Sequence, residues 1–165
     1  MTKEEKKLIL DFSLEKITEN EFLEQYPLSL NEVKNYVKER LELAYSEANG
    51  EDVEYALLIG FNFDVFSDDF VDILCKIILE RWHTKHEDIA LILQKLKNPR
   101  SIDCLYQTAL MKLDYLHYDD TYALARKCIH ALGDINTNDS RNKLQLLASS
   151  SIPIIREKAE KQLRH

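Results

Sequence analysis

Apolar residues recur along this chain at intervals of three and four, the period of a helix with one buried face. Leu8, Ile9 and Phe12 predict a first helix over about 2–13. Thr18-Glu19-Asn20-Glu21 and Ser29-Leu30-Asn31-Glu32 both have the capping-box form, in which the first and fourth side chains each take an orphan backbone N–H. The first box opens a short helix ending near Tyr26-Pro27. The second opens a long one with Val33, Tyr36, Val37, Leu41 and Ala44 at helical spacing, and Asn49-Gly50 predicts a left-handed stop. Val53, Ala56, Leu57 and Leu58 predict a helix over 51–59. Residues 60–66 alternate aromatics like a strand, but a lone strand has no partner, so a packed loop is expected. Ser67-Asp68-Asp69 predicts the cap of a helix reaching about Trp82, apolar on most sides and so destined for an interior position.

The second half repeats this design. Ile89, Leu93 and Leu96 mark a helix near 86–97, ended by Asn98-Pro99, and Ile102, Leu105, Tyr106, Ala109 and Leu110 mark one near 100–113. Tyr122, Ala125, Cys128, Ile129 and Leu132 mark another, with Gly133 as its expected end; Leu144, Leu146 and Leu147 mark one near 138–149; Ile155, Ala159 and Leu163 mark the last, with Pro153 in its first turn. Leu124, Cys128, Ala131 and Leu132 align with Ile155, Ala159, Gln162 and Leu163, 31 residues later. A period near this length holding two helices is a solenoid signature. Ala131-Leu132-Gly133-Asp134-Ile135, then Leu147, then Pro153-Ile154-Ile155-Arg156-Glu157-Lys158-Ala159 resembles the short HEAT repeat of the phycobilisome-lyase type. The resemblance covers 86–165 well, 51–85 loosely and the first 50 residues hardly at all. The expected fold is all-α: a HEAT-like helical-repeat stack, a right-handed solenoid of about nine helices. It is read as one domain over 1–165, with divergent helices in 1–50 and HEAT-like pairs in 51–165.

Composition narrows the function classes. Three Gly and three Pro are too few for a β-rich chain with many tight turns. No apolar run approaches the ~20 residues that span a bilayer. The mixed-charge start, Met1 to Lys7, is unlike a secretory signal, so a cytoplasmic protein away from membranes is expected. Cys75, Cys104 and Cys128 are odd in number, form no CxxC pair and sit among apolar neighbours, which predicts buried free thiols. The net charge of −7 is uneven: residues 1–80 carry 8 Lys and Arg against 19 Asp and Glu, residues 81–165 carry 14 against 10. An acidic first half repels phosphate backbones and suits a basic partner, or simply keeps the protein in solution.

Two polar clusters interrupt the helices. Trp82-His83-Thr84-Lys85-His86-Glu87-Asp88 holds the single Trp. His83 and His86 with Glu87 or Asp88 offer metal donors, but zinc needs three or four convergent ligands and HExxH spacing is missing, so no metal and no cofactor are expected. One repeat later comes Tyr115-Leu116-His117-Tyr118-Asp119-Asp120. Turns of successive repeats fall on one edge of a solenoid, so the two clusters are expected to meet. The edge carrying Trp82, His83, His86, Glu87, Tyr115, Tyr118, Asp119 and Asp120 is the candidate contact surface, because aromatic anchors ringed by polar groups dominate many interfaces. The competing reading makes Asp119 or Asp120 the N-cap of the helix at 121–132. Asp64, Asp68, Asp69 and Asp72 form the rival acidic surface. Cys128 and His130 lie about 200° apart around their helix, so they form no nucleophile–base pair. There is no Gly-rich phosphate loop and no GxSxG.

The clusters at 82–89 and 115–120, with Lys127-Cys128-Ile129-His130-Ala131-Leu132-Gly133-Asp134-Ile135, resemble small bacterial HEAT-like proteins, several of which are immunity partners of polymorphic or contact-dependent toxins. That resemblance implies a non-enzymatic cytoplasmic protein that binds one cognate toxin domain, often a nuclease, and occludes its active site. The acidic balance fits, since nuclease domains that bind phosphates tend to be basic. A HEAT-repeat scaffold for another protein partner remains open. A HEAT-like lyase or a helical-repeat DNA glycosylase is a further alternative, the last at odds with the charge.

Overall fold

Capping chemistry and apolar stripes shape the first helices. The computed structural model describes residues 1–165, and it holds ten α-helices, one more than expected, four short 3-10 turns and no strand. The chain divides into two compact units, 1–66 and 67–165. In the first unit the fourth helix packs against the first and third.

In the first unit, α1 (Lys3–Ser13), α2 (Glu19–Gln25), α3 (Val33–Glu47) and α4 (Gly50–Asn62) follow in order. Thr18 and Glu21 complete the expected capping box. A second complete box, Thr2 with Glu5, starts α1. At Ser29 the chain first makes a 3-10 turn, Leu30–Glu32, with the Glu32 carboxylate accepting from the Ser29 N–H. The core is aromatic. Phe12 stacks on Phe22 at 4.9 Å between ring centres, Phe22 stacks on Tyr26 at 5.0 Å, and Phe63 closes on Phe12 at 5.3 Å. The Tyr26 hydroxyl pairs with that of Tyr36 on α3. Burial and this bond push the Tyr26 phenol far above its ordinary range. Residues 60–62, expected as loop, extend α4 instead.

In the second unit, α5 (Val71–Ile78), α6 (His86–Leu96), α7 (Ile102–Ala109), α8 (Ala123–Ile135), α9 (Asn138–Leu147) and α10 (Pro153–Leu163) make two rows. One row runs α5, α7, α9; the other runs α6, α8, α10; each helix also packs across to the other row. Helix α8 is the hub, touching α6, α7, α9 and α10, and Leu124, Cys128, Ile129, Ala131 and Leu132 are all buried on it. The aligned positions Ile155 and Ala159 are likewise buried. Helix α5 stops at Ile78 rather than Trp82, and around that end the Ile77 and Glu80 carbonyls accept from the two imidazoles. The three cysteines are free; Cys104 and Cys128 are buried and Cys75 is half-buried. Burial pushes the Cys128 thiol up to about 12, so it is inert at neutral pH.

Neither expected glycine stop is one. Ala48 takes the left-handed conformation (φ 51°) at the end of α3, and Asn49 caps α4 through the Asp52 N–H, leaving Gly50 as its first residue. Asn136 (φ 52°) ends α8, with Gly133 inside the helix. The interior glycines serve close approach: a Cβ on Gly60 would lie 2.3 Å from the Phe66 ring, and one on Gly133 would lie 2.1 Å from the Gln162 side-chain oxygen. Alanine gains about 1 kcal/mol of helix propensity over glycine. The packed ring of Phe66 cannot yield as Gln162 can, so Gly60→Ala is expected to lose a net ~1–2 kcal/mol through overpacking. Gly133→Ala is expected to be neutral or stabilising. Urea unfolding checks both; a Gly60→Ala protein as stable as the parent refutes the packing role.

Candidate functional site

A histidine enters a protein interior cheaply only if both ring nitrogens find partners. In the second unit, His83 and His86 are 3% and 0% exposed. His83 Nε2 lies 2.7 Å from the Ile77 carbonyl, and its Nδ1 is 3.0 Å from the Lys85 N–H. His86 Nε2 lies 2.7 Å from the Glu80 carbonyl, and its Nδ1 is 2.7 Å from the Tyr115 hydroxyl. Carbonyls only accept, so both rings carry their proton on Nε2, and both Nδ1 atoms accept. The two imidazoles are therefore neutral and fully bonded. They stack at 4.0 Å; Trp82 meets His83 edge-on at 5.4 Å, and Tyr115 stacks on His86 at 5.6 Å.

The two polar clusters do meet, as repeat geometry predicts, but their meeting point is internal. This corrects the placement of His83 and His86 on an exposed edge: their burial removes them from direct contact with a partner. Trp82 is half-buried, with its indole N–H donating to Glu80 at 3.1 Å. Tyr115 is half-buried and committed to His86; burial pushes its phenol up to about 12. Glu87 is half-buried and pairs with Lys127 of α8 at 2.9 Å. No group of three or more His, Cys, Asp or Glu is arranged to hold a metal ion.

The exposed part of the candidate edge lies between α7 and α8. Tyr118 is 74% exposed, with the His117 ring edge-on at 5.3 Å. Asp120 is exposed. Asp119 is half-buried, and its carboxylate accepts from the Thr121 N–H at 2.9 Å, the Thr121 hydroxyl and the Ala123 N–H at 3.0 Å. The Thr121 hydroxyl bond above all, then the two backbone bonds, hold its pKa below the ordinary value. The N-cap position of α8 is Tyr122, not Asp119 or Asp120; Asp119 bonds the Ala123 N–H from outside that position.

Asp64 is exposed in the first unit, in a left-handed conformation at φ 50°. Asp68 and Asp69 are exposed in the 3-10 turn before α5. Arg100 sits 2.9 Å from both Asp72 oxygens and also bonds the Asp68 carbonyl, so Asp72 is already neutralised.

Sequence reasoning missed a groove of about 310 Å³ in the second unit. The α7–α8 connection, the start of α8 and the start of α10 line it. Leu113, Leu124, Ala125 and Ile155 form an apolar floor, while Asp114, Asp119 and Asp120 stand among its polar lining. Two signals in the sequence mark it. Leu110 continues the α7 stripe past the end of its helix, and Pro153 disfavours helical backbone at Ile152.

The buried histidines set a pH dependence. Burial lowers both pKa values, that of His86 to about 4, with the neighbouring His83 adding to the effect. Between pH 6.5 and 4 the unfolded chain binds protons that the folded imidazole refuses, so stability is full above 6.5 and falls as the pH drops towards 4. The His86 depression corresponds to roughly 3 kcal/mol. Carboxylates held low, such as Asp119, act below their ordinary pKa of 3.8 and leave this window clear. Urea unfolding at pH 7 and pH 4.5 is expected to differ by at least ~2 kcal/mol. The difference should shrink in His86→Gln, and an equal difference in that variant refutes the assignment. Tyr115→Phe is expected to cost ~1–3 kcal/mol at pH 7 by leaving the His86 acceptor unpaired.

No protein-family model, curated protein or solved structure matches this chain.

Proposed function

We propose that this chain is a protein-binding inhibitor, an immunity protein that neutralises a basic toxin domain by covering its active site. One observation carries the reading: the α7–α8 connection presents Tyr118 at 74% exposure beside the carboxylates of Asp119 and Asp120, on a base pinned by buried hydrogen bonds. A rigidly based aromatic among carboxylates suits a basic protein surface. The alternation of two helix rows in the second unit is compatible with a HEAT-like stack, a scaffold that binds along its edges and faces. The first unit, with 7 Lys and Arg against 15 Asp and Glu, supplies the long-range attraction.

An adaptor for some other basic protein would use the same surface. The two are separated by co-expression with the product of the gene immediately upstream. The inhibitor reading expects that product to arrest growth alone, to be silenced by this chain, and to elute with it as a complex. Arrest that persists despite abundant soluble protein sinks the reading.

Within such a complex, Tyr118→Ala is expected to weaken affinity by about 2 kcal/mol with no change in unfolding free energy. The association rate is expected to fall as salt rises, because exposed charges are screened beyond ~8 Å at physiological ionic strength. A rate flat across salt concentrations would limit the acidic unit to a role in solubility.

A further inference from the structure

We propose that the groove between the α7–α8 connection and the start of α10 docks a polypeptide segment that carries an apolar side chain next to lysine or arginine. The inference rests on the protein-binding reading above and states what kind of segment the partner inserts.

Size and lining come first. A space of about 310 Å³ is at the small end of ligand sites, so it takes one or two side chains rather than a folded surface. Its floor is apolar, and its rim leaves large apolar side chains in water: Leu110 is 51% exposed and Tyr122 is 39% exposed. Covering them with another apolar side chain removes that area from water.

Charge complementarity selects the flanking residues. Three carboxylates, Asp114, Asp119 and Asp120, face the groove against one ammonium, Lys112, and the imidazole of His117. Asp119 is held ionised by its three hydrogen bonds. A cationic neighbour of the anchor meets this rim favourably, while a phosphate or an acidic peptide is repelled. The far wall favours a peptide over a small cation. Helix α10 has no side-chain cap and its first residue, Pro153, carries no N–H, so the amides it offers to a peptide carbonyl are those of Ile154 and Ile155.

The groove is also built before anything binds. Tyr122 stands in a left-handed backbone conformation, φ 53°, which is uncommon for an aromatic residue. The Asp119 carboxylate bonds the amides on either side of it, Thr121 and Ala123, and so holds the Tyr122 backbone in that conformation. A preformed site spends less of its binding energy on ordering.

The test uses amide chemical shifts of the full chain titrated with three blocked hexapeptides: Lys-Lys-Leu-Phe-Lys-Lys, Glu-Glu-Leu-Phe-Glu-Glu and Lys-Lys-Ser-Gly-Lys-Lys. The first is expected to give saturable shifts centred on Leu110, Tyr122, Ala125 and Ile152. Affinity is expected to drop roughly tenfold in the Asp114→Asn, Asp120→Asn double variant and again in Leu110→Ser, positions exposed enough to leave folding intact. Equal shifts from the acidic or the Ser-Gly peptide, no saturation, or shifts centred elsewhere overturn the proposal. Failure here is distinct from failure of the inhibitor reading. If the upstream gene product forms its complex while the first peptide leaves the groove unshifted, only the groove proposal falls. If the peptide binds as expected and no toxin complex forms, the groove proposal stands without that partner.

Discussion

An imidazole without solvent contact must be neutral and bonded at both nitrogens, and His86 meets that demand with groups from two separate chain segments. The Glu80 carbonyl fixes Nε2 from the α5–α6 turn. The Tyr115 hydroxyl, 29 residues further on, fixes Nδ1 from the α7–α8 connection. The bond to Tyr115 ties the start of α6 to the α7–α8 connection. Around the end of α5, the Ile77 and Glu80 carbonyls accept from His83 and His86.

What the second unit presents to solvent depends on that anchor. With Tyr115 held inward, the chain after it turns through Leu116 and His117 and carries Tyr118 outward. Asp119 then gathers the amides of Thr121 and Ala123, which starts α8 and leaves Tyr122 at positive φ. Two sets of hydrogen bonds flank the exposed Tyr118: Glu80–His86–Tyr115 before it, and Asp119 with Thr121 and Ala123 after it. Hydrogen bonds of this kind favour geometry over net stability, since each contributes only about 1 kcal/mol while its loss leaves a buried group unpaired at greater cost.

Much of the helix framework was legible in the sequence because it is written in short-range chemistry. Thr18 with Glu21, the stripe from Val33 to Ala44, and Pro153 at the head of the last helix each act within one or two turns, and each appears where spacing places it. Helix ends were less legible. Asn49-Gly50 and Gly133 look like left-handed stops, yet Ala48 and Asn136 take that conformation, because the glycines are spent on close packing and on opening α4. The candidate edge was legible as an adjacency, but His83 and His86 lie inside it rather than on its surface. Spacing alone brings residues 82–88 near 115–120, but a His with polar neighbours reads as exposed until the carbonyls that receive it are located. The groove was marked only in its separate parts, at Leu110 and at Ile152 before Pro153. Its lining comes from three stretches of chain, and nothing in the separate stretches shows that Ile152 and Leu110 converge.

Charge and shape divide the recognition problem between the units. The acidic excess belongs to residues 1–66. The second unit is close to neutral, with 15 Lys and Arg against 14 Asp and Glu, yet it carries the exposed aromatic and the lined groove. Long-range attraction depends on net charge and is weakened by salt, whereas the residence time of a complex depends on anchors buried at its centre. Under the inhibitor reading, the first unit raises the encounter rate with a basic partner and the α7–α8 connection sets how long it stays. Acidic-to-neutral changes in the first unit would then act on association, while changes at Tyr118, Leu110 or the groove rim would act on dissociation.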